Sequence, residues 1–90
     1  MIELNLTVNN SRGLHARPSA LIVETLTPFK SIVTFFKDDK TINAKSILSV
    51  MSLIAKKHSV IQVKIDGPDE IDAANALIRI FDENFREAYE

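Results

Sequence analysis

The segment Gly13-Leu14-His15-Ala16-Arg17-Pro18-Ser19 puts an imidazole, a guanidinium and a glycine side by side. From Ala16 the apolar residues fall into helical spacing, so His15 sits at or next to a helix N-cap. The first turn of a helix carries unpaired N–H groups and a partial positive charge, which stabilise an anion placed there. Arg17 adds a planar cation that can grip phosphate oxygens. Gly13 permits a close backbone approach. A helix N-terminus favours neutral imidazole, whose ring nitrogen keeps a lone pair free to attack phosphorus. The N–H groups around Ala16, Arg17 and Pro18 could then hold the transferred phosphate. An isolated histidine near a helix start would more simply be read as a cap beside a solvated arginine.

The elements that must position this segment are legible in the hydropathy pattern. Ile2, Leu4, Leu6 and Val8 alternate with polar residues, which predicts a strand with one buried face. A loop over Asn9 to Gly13 follows. Ser19, Ile22, Val23 and Leu26 mark one face of a helix that starts at Ala16 and is ended by Pro28. Ser31 to Lys37 reads as a strand with Val33 and Phe35 on one face. Asp38-Asp39 turns it into a short return strand over Lys40 to Ala44. Ser46 is a good N-cap for a short apolar helix reaching about Ile54. Lys56 to Ser59 is a polar connection, and Val60 to Ile65 is a strand with Ile61, Val63 and Ile65 inward. Gly67-Pro68 is a turn. Asp69 can cap a last helix whose stripe is Ala74, Leu77, Ile78, Phe81 and Phe85. The order β-α-β-β-α-β-α predicts an α+β fold, an open-faced two-layer sandwich with one sheet face wet. Ile32 and Phe36 should project from that uncovered face.

Composition narrows the function classes. Ninety residues are expected to form one domain, spanning 1–90. Such a chain buries only about 60–65% of the surface its unfolded form exposes, which leaves no room for a deep cleft between lobes. Eleven Lys and Arg against twelve Asp and Glu leave no basic excess for binding nucleic acid. With no cysteine there is no disulfide or thiol nucleophile, and a reducing cytoplasm fits. No apolar run approaches the ~18–20 residues of a membrane span, and the alternating N-terminus is unlike a signal peptide. Two histidines far apart in sequence, His15 and His58, make no metal site.

The run Gly13 to Ala20 resembles the active-site signature of the HPr family, the histidine-containing phosphocarriers of the phosphoenolpyruvate-dependent phosphotransferase system. A second run, Asn43-Ala44-Lys45-Ser46-Ile47-Leu48-Ser49-Val50-Met51-Ser52-Leu53, is similar to the family's regulatory-serine segment. Two motifs at the right separation are more specific than either alone. The resemblance implies a four-stranded antiparallel sheet with three helices on one face. It implies that phosphorylated enzyme I phosphorylates His15 on Nδ1. His15 would pass the group to a histidine of an enzyme IIA domain, with Arg17 as phosphate clamp. No cofactor is implied, and a carrier that must dissociate quickly is expected to be a monomer.

The resemblance also implies regulation at Ser46, which a dedicated HPr kinase/phosphorylase modifies in many bacteria. Phosphoserine there could recruit a transcriptional regulator, and its charge should weaken docking of phosphorylated proteins. Val50 and Leu53 suffice for the buried stripe of the short helix, which leaves Ile47, Leu48 and Met51 over. With Ala20, Leu21 and Glu24 of the first helix, they form a candidate docking patch beside His15. Departures from the family are specific. Glu24, Thr27 and Ser49 are acidic or neutral where many sugar-system members are basic. The family's glycine-rich connection reads Ile54 to Ser59 here, without glycine. The Gly67-Pro68-Asp69-Glu70 turn resembles NPr, the nitrogen-branch relative. The expected function is therefore phosphocarrier. The alternatives are a regulatory binding protein read through Ser46, acting without sugar transport, and a binding module in which the His15 loop is only a cap.

Overall fold

The computed structural model describes residues 1–85; the last five residues of the expected 1–90 domain lie outside the described residues. The elements run β1 (Ile2–Thr7), α1 (Ala16–Leu26), β2 (Ile32–Lys37), β3 (Lys40–Asn43), α2 (Ile47–Ser52), β4 (Val60–Asp66) and α3 (Glu70–Asp82). The four strands form one antiparallel sheet in the order β1-β4-β2-β3. The three helices cover one face, and α1 packs against both α2 and α3. This is the expected α+β open-faced sandwich.

Register explains which residues become core. Leu4 and Phe35 flank Val63 from opposite sides, and Ile2 and Val33 flank Ile65. Side chains two apart share a face, so Val33, Phe35, Ile61, Val63 and Ile65 all point at the helices and are fully buried. Ile22 and Leu26 of α1, Val50 of α2 and Leu77 of α3 meet them with no exposed surface.

On the other face, Ile32 is open to solvent as expected. Phe36 differs. Lys64 lies directly across from Glu3, pairs with it at 3.5 Å, and sets its ammonium 5.2 Å from the Phe36 ring centroid. The ring is therefore half-buried, its face covered by a cation.

Several boundaries differ from the sequence reading for local reasons. The return strand stops at Asn43, because the Asn43 side chain accepts the Lys45 N–H at 2.9 Å and its carbonyl accepts the Ser46 N–H at 3.2 Å. That Asx turn leads the chain into α2. α2 ends at Ser52, short of Ile54, since Ile54 takes a left-handed conformation at φ 51°. In α3, Ala73 and Ile80 are buried while Ile78 is half-buried, so the inward stripe is rotated from the one expected. Val23 is likewise only half-buried. Phe85, beyond the end of α3, is buried edge-on against Phe81 with centroids 4.7 Å apart.

Asp69 stands at the N-cap of α3, but its side chain does not cap the helix. Its carboxylate reaches across to the α1–β2 connection and accepts the Lys30 N–H at 2.8 Å, the Ser31 N–H at 2.9 Å and the Ser31 hydroxyl at 2.5 Å. Glu70 closes the turn instead, accepting the Gly67 N–H at 3.2 Å and pairing with the Met1 amino group at 2.9 Å.

The Ser31 hydroxyl, and then the Lys30 N–H, hold the Asp69 carboxyl below its ordinary range. A carboxylate favoured by folding stabilises the protein fully above its unfolded pKa, about 4, and loses that contribution as pH falls through the lower folded value. Asp69→Asn is expected to lower the melting temperature at neutral pH. It should also shrink the loss of stability on acidification below about pH 4, as read by thermal melts across pH.

Candidate functional site

The site is built on a backbone joint between the β1–α1 and α2–β4 loops. Val8 donates its N–H to the Ser59 carbonyl at 2.8 Å and accepts the His58 N–H at 2.6 Å. Leu14 donates its N–H to the Ala55 carbonyl at 2.8 Å. Between these ties the chain turns tightly. Asn10, fully buried, donates its amide to the Gly13 carbonyl at 2.6 Å, and Gly13 returns its N–H to the Asn10 carbonyl at 3.2 Å. Gly13 is left-handed at φ +68°, and a Cβ there would sit 2.3 Å from the Ala55 carbonyl oxygen and 2.9 Å from the Lys56 Cα. Only glycine fits.

The joint delivers His15 as the N-cap of α1, with extended backbone (φ −81°, ψ −166°). Its carbonyl accepts the Ser19 N–H at 3.1 Å, and its imidazole makes no capping bond. Ser19 is buried, with its hydroxyl 3.3 Å from the Leu14 carbonyl, which fixes the helix start from below. Ala16 and Arg17 supply the first-turn N–H groups, for which the helix itself offers no acceptor. Pro18 lies in the same turn, but it is buried and has no N–H to give, so the expected backbone cradle comes down to two residues. Arg17 is exposed at the second position of the helix.

Beside His15 lies a shallow depression of about 300 Å³, lined by Arg12, Leu14, His15, Met51, Ile54, Ala55 and Lys56. Arg17 is not among these residues; the cations that line the depression are Arg12 and Lys56. Sequence reasoning missed both, and Ile54 with them. Arg12, three residues before His15, was within reach of a local reading. Lys56 and Ile54 arrive only through the Leu14–Ala55 tie.

Ser46 is the N-cap of α2, its hydroxyl accepting the Ser49 N–H at a long 3.4 Å. Neighbouring Lys45 is anchored by its ammonium to the Phe29 carbonyl at 2.6 Å, just past the end of α1. On α2 the surplus apolar residues are outward as expected: Ile47 and Met51 are partly exposed and Leu48 is 80% exposed. On α1, Glu24 is exposed and Ala20 half-buried. Leu21 packs against the core, so it offers the patch only part of its surface.

Comparison with known proteins shows the family and the fold. The family profile described as the PTS HPr component phosphorylation site matches residues 2–83. The phosphocarrier protein HPr of Xylella fastidiosa is 46% identical over 87 residues, 97% of this chain and 98% of that protein. The HPr-like protein Crh of Halalkalibacterium halodurans is 42% identical over 78 residues, 87% of this chain and 93% of its own length. Among solved structures, an HPr of Thermoanaerobacter tengcongensis superposes with TM-score 0.92 at 40% identity, covering 97% of this chain and 98% of that one. A structure of an HPr dimer from the same organism gives 0.75 at 40% identity, covering 94% and 98%.

Gly13→Ala should break the joint. The added methyl meets two backbone atoms that cannot move independently, so a loss on the order of 3 kcal/mol in denaturant unfolding is expected. Amide exchange of Leu14 should quicken with it, since its acceptor lies in the displaced strand of the joint.

Proposed function

The chain belongs to the HPr family, and we propose that His15 is the residue through which it does the family's work. The protein is a phosphocarrier of the phosphotransferase system. The observation that carries the assignment of His15 is its place: a half-exposed residue at the N-cap of α1 that lines a cationic depression.

On this reading phosphorylated enzyme I is the donor. A ring nitrogen of His15, Nδ1 by the family pattern, attacks phosphorus with its lone pair. The donor's P–N bond breaks, and its electron pair returns to the donor imidazole. The Ala16 and Arg17 N–H groups and the Arg17 guanidinium face the transferred phosphoryl group, whose negative charge the helix N-terminus favours. A histidine of an enzyme IIA domain then repeats the step in reverse sense. Both bonds are P–N, so the driving force is small. An open site suits this, because holding the phosphate too firmly would slow the onward step. The protein is thus a covalent intermediate between enzymes rather than a turnover catalyst. It works as a monomer during each transfer, because one face serves both donor and acceptor. A donor charged from phosphoenolpyruvate places it in the cytoplasm.

Ser46 is the candidate regulatory site. Its hydroxyl contributes one long cap bond, and its neighbours Ile47, Leu48 and Met51 supply the docking face. Phosphate there would put negative charge beside the surface that must meet a phosphorylated donor. The resemblance of residues 43–53 to the family's regulatory-serine segment keeps a regulatory partner, with its kinase, within this reading.

Two experiments test these assignments. Incubation with enzyme I and phosphoenolpyruvate should add one acid-labile phosphate by intact mass, absent from His15→Ala. An unchanged label in that variant would overturn the assignment. Ser46→Asp should lower the rate of phosphorylation by about tenfold. Ser46→Ala should leave the rate near wild type and cost only about 0.5–1 kcal/mol of stability.

A further inference from the structure

Ile54 breaks a local rule. It is β-branched, yet its backbone is left-handed at φ 51°, a strained conformation for a residue with a branched Cβ. Burial does not explain it, for the side chain is 66% exposed. A glycine or asparagine would hold the same turn more comfortably. The side chain therefore makes no visible contribution to folding that offsets its strain.

Its position supplies a reason. Ile54 lines the depression beside His15 together with Met51, and it extends the exposed apolar row of Ile47, Leu48 and Met51 past the end of α2. The charged residues lining that depression, Arg12 and Lys56, are both basic, and no carboxylate lines it. The surface is an apolar strip that runs to the reactive histidine and ends between two cations.

Building on the carrier reading, we propose that Ile54 is a specificity-determining contact for the proteins that exchange phosphate with His15. The partner face it fits has an apolar seat for Ile54 and Met51, bordered by carboxylates that meet Arg12 and Lys56. Charge at such a rim steers encounter, while the desolvated apolar anchor governs how long the complex lasts. A glycine at this position would leave the seat empty, so this chain and a carrier with glycine there would favour different partners.

The test separates stability from recognition. Ile54→Gly relieves the backbone strain, offset in part by the freedom glycine adds to the unfolded chain, so its melting temperature should rise by about 3 °C. The same variant should show a KM for phosphorylated enzyme I, or for the enzyme IIA acceptor, raised about tenfold, with the loss in KM rather than in kcat. Ile54→Asn, which tolerates the left-handed backbone but is polar, should show the same rise in KM. Replacing Arg12 and Lys56 together by glutamine should raise KM at low salt and flatten its salt dependence. Unchanged KM values for both partners in both Ile54 variants would overturn the proposal and leave the carrier reading standing. Failure of the wild-type protein to accept phosphate at all would remove the carrier reading and this inference with it.

Discussion

Gly13 lies so close to the Ala55 carbonyl and the Lys56 backbone that no side chain can stand between them. The Leu14–Ala55 hydrogen bond forms through that contact, and most of the site follows from it. It sets where the first turn of α1 begins, and hence where His15 caps it. It also brings the end of α2 beside the imidazole, although the two segments are some forty residues apart in sequence. Without it, the depression lined by residues of both loops would not exist.

The core supports this joint but does not create it. β4 and β2 occupy the centre of the sheet, and their alternate side chains give α1 and α3 a continuous apolar floor. The helices are further tied at their ends. The Lys45 ammonium meets the carbonyl of Phe29, and Asp69 gathers the N–H groups of Lys30 and Ser31. Such long-range ties at helix and loop ends hold the α1–β2 connection while leaving the His15 end of α1 to the loop joint. The sheet with its helices is therefore the framework, and the His15 end of α1 is presented at its edge.

A carrier must be recognised by more than one protein and released by each. A small open face answers both needs. Leu48, Met51 and Ile54 are exposed beside a shallow depression rather than a deep pocket, and Arg12 and Lys56 line the same depression. On the proposed reading the chemistry has the same balance, since an open helix N-terminus with Arg17 beside it would favour a phosphoryl group without enclosing it.

Much of this was legible in the residues themselves. The period-two strands, the helix start at Ala16 and the inward Val33, Phe35, Ile61, Val63 and Ile65 are local consequences of side-chain spacing, and the structure reproduces them. The N-cap positions of His15 and Ser46, and the place of Arg17 in the first turn of α1, were likewise readable from their neighbours. Other features depended on contacts that spacing does not encode. Asp69 looked like a cap because its own neighbours are helical; its partners, Lys30 and Ser31, come from a distant loop. Phe36 looked exposed until the β2–β4 register set Lys64 over it. The rotation of the α3 stripe was decided by which side of the helix met the sheet. Arg12, Ile54 and Lys56 joined His15 only when the glycine-to-backbone contact closed the loops. Sequence determined the elements and the placing of His15 at a helix start, because those follow from nearest-neighbour physics. Tertiary structure decided who surrounds that residue, because only close packing brings separate segments to one point.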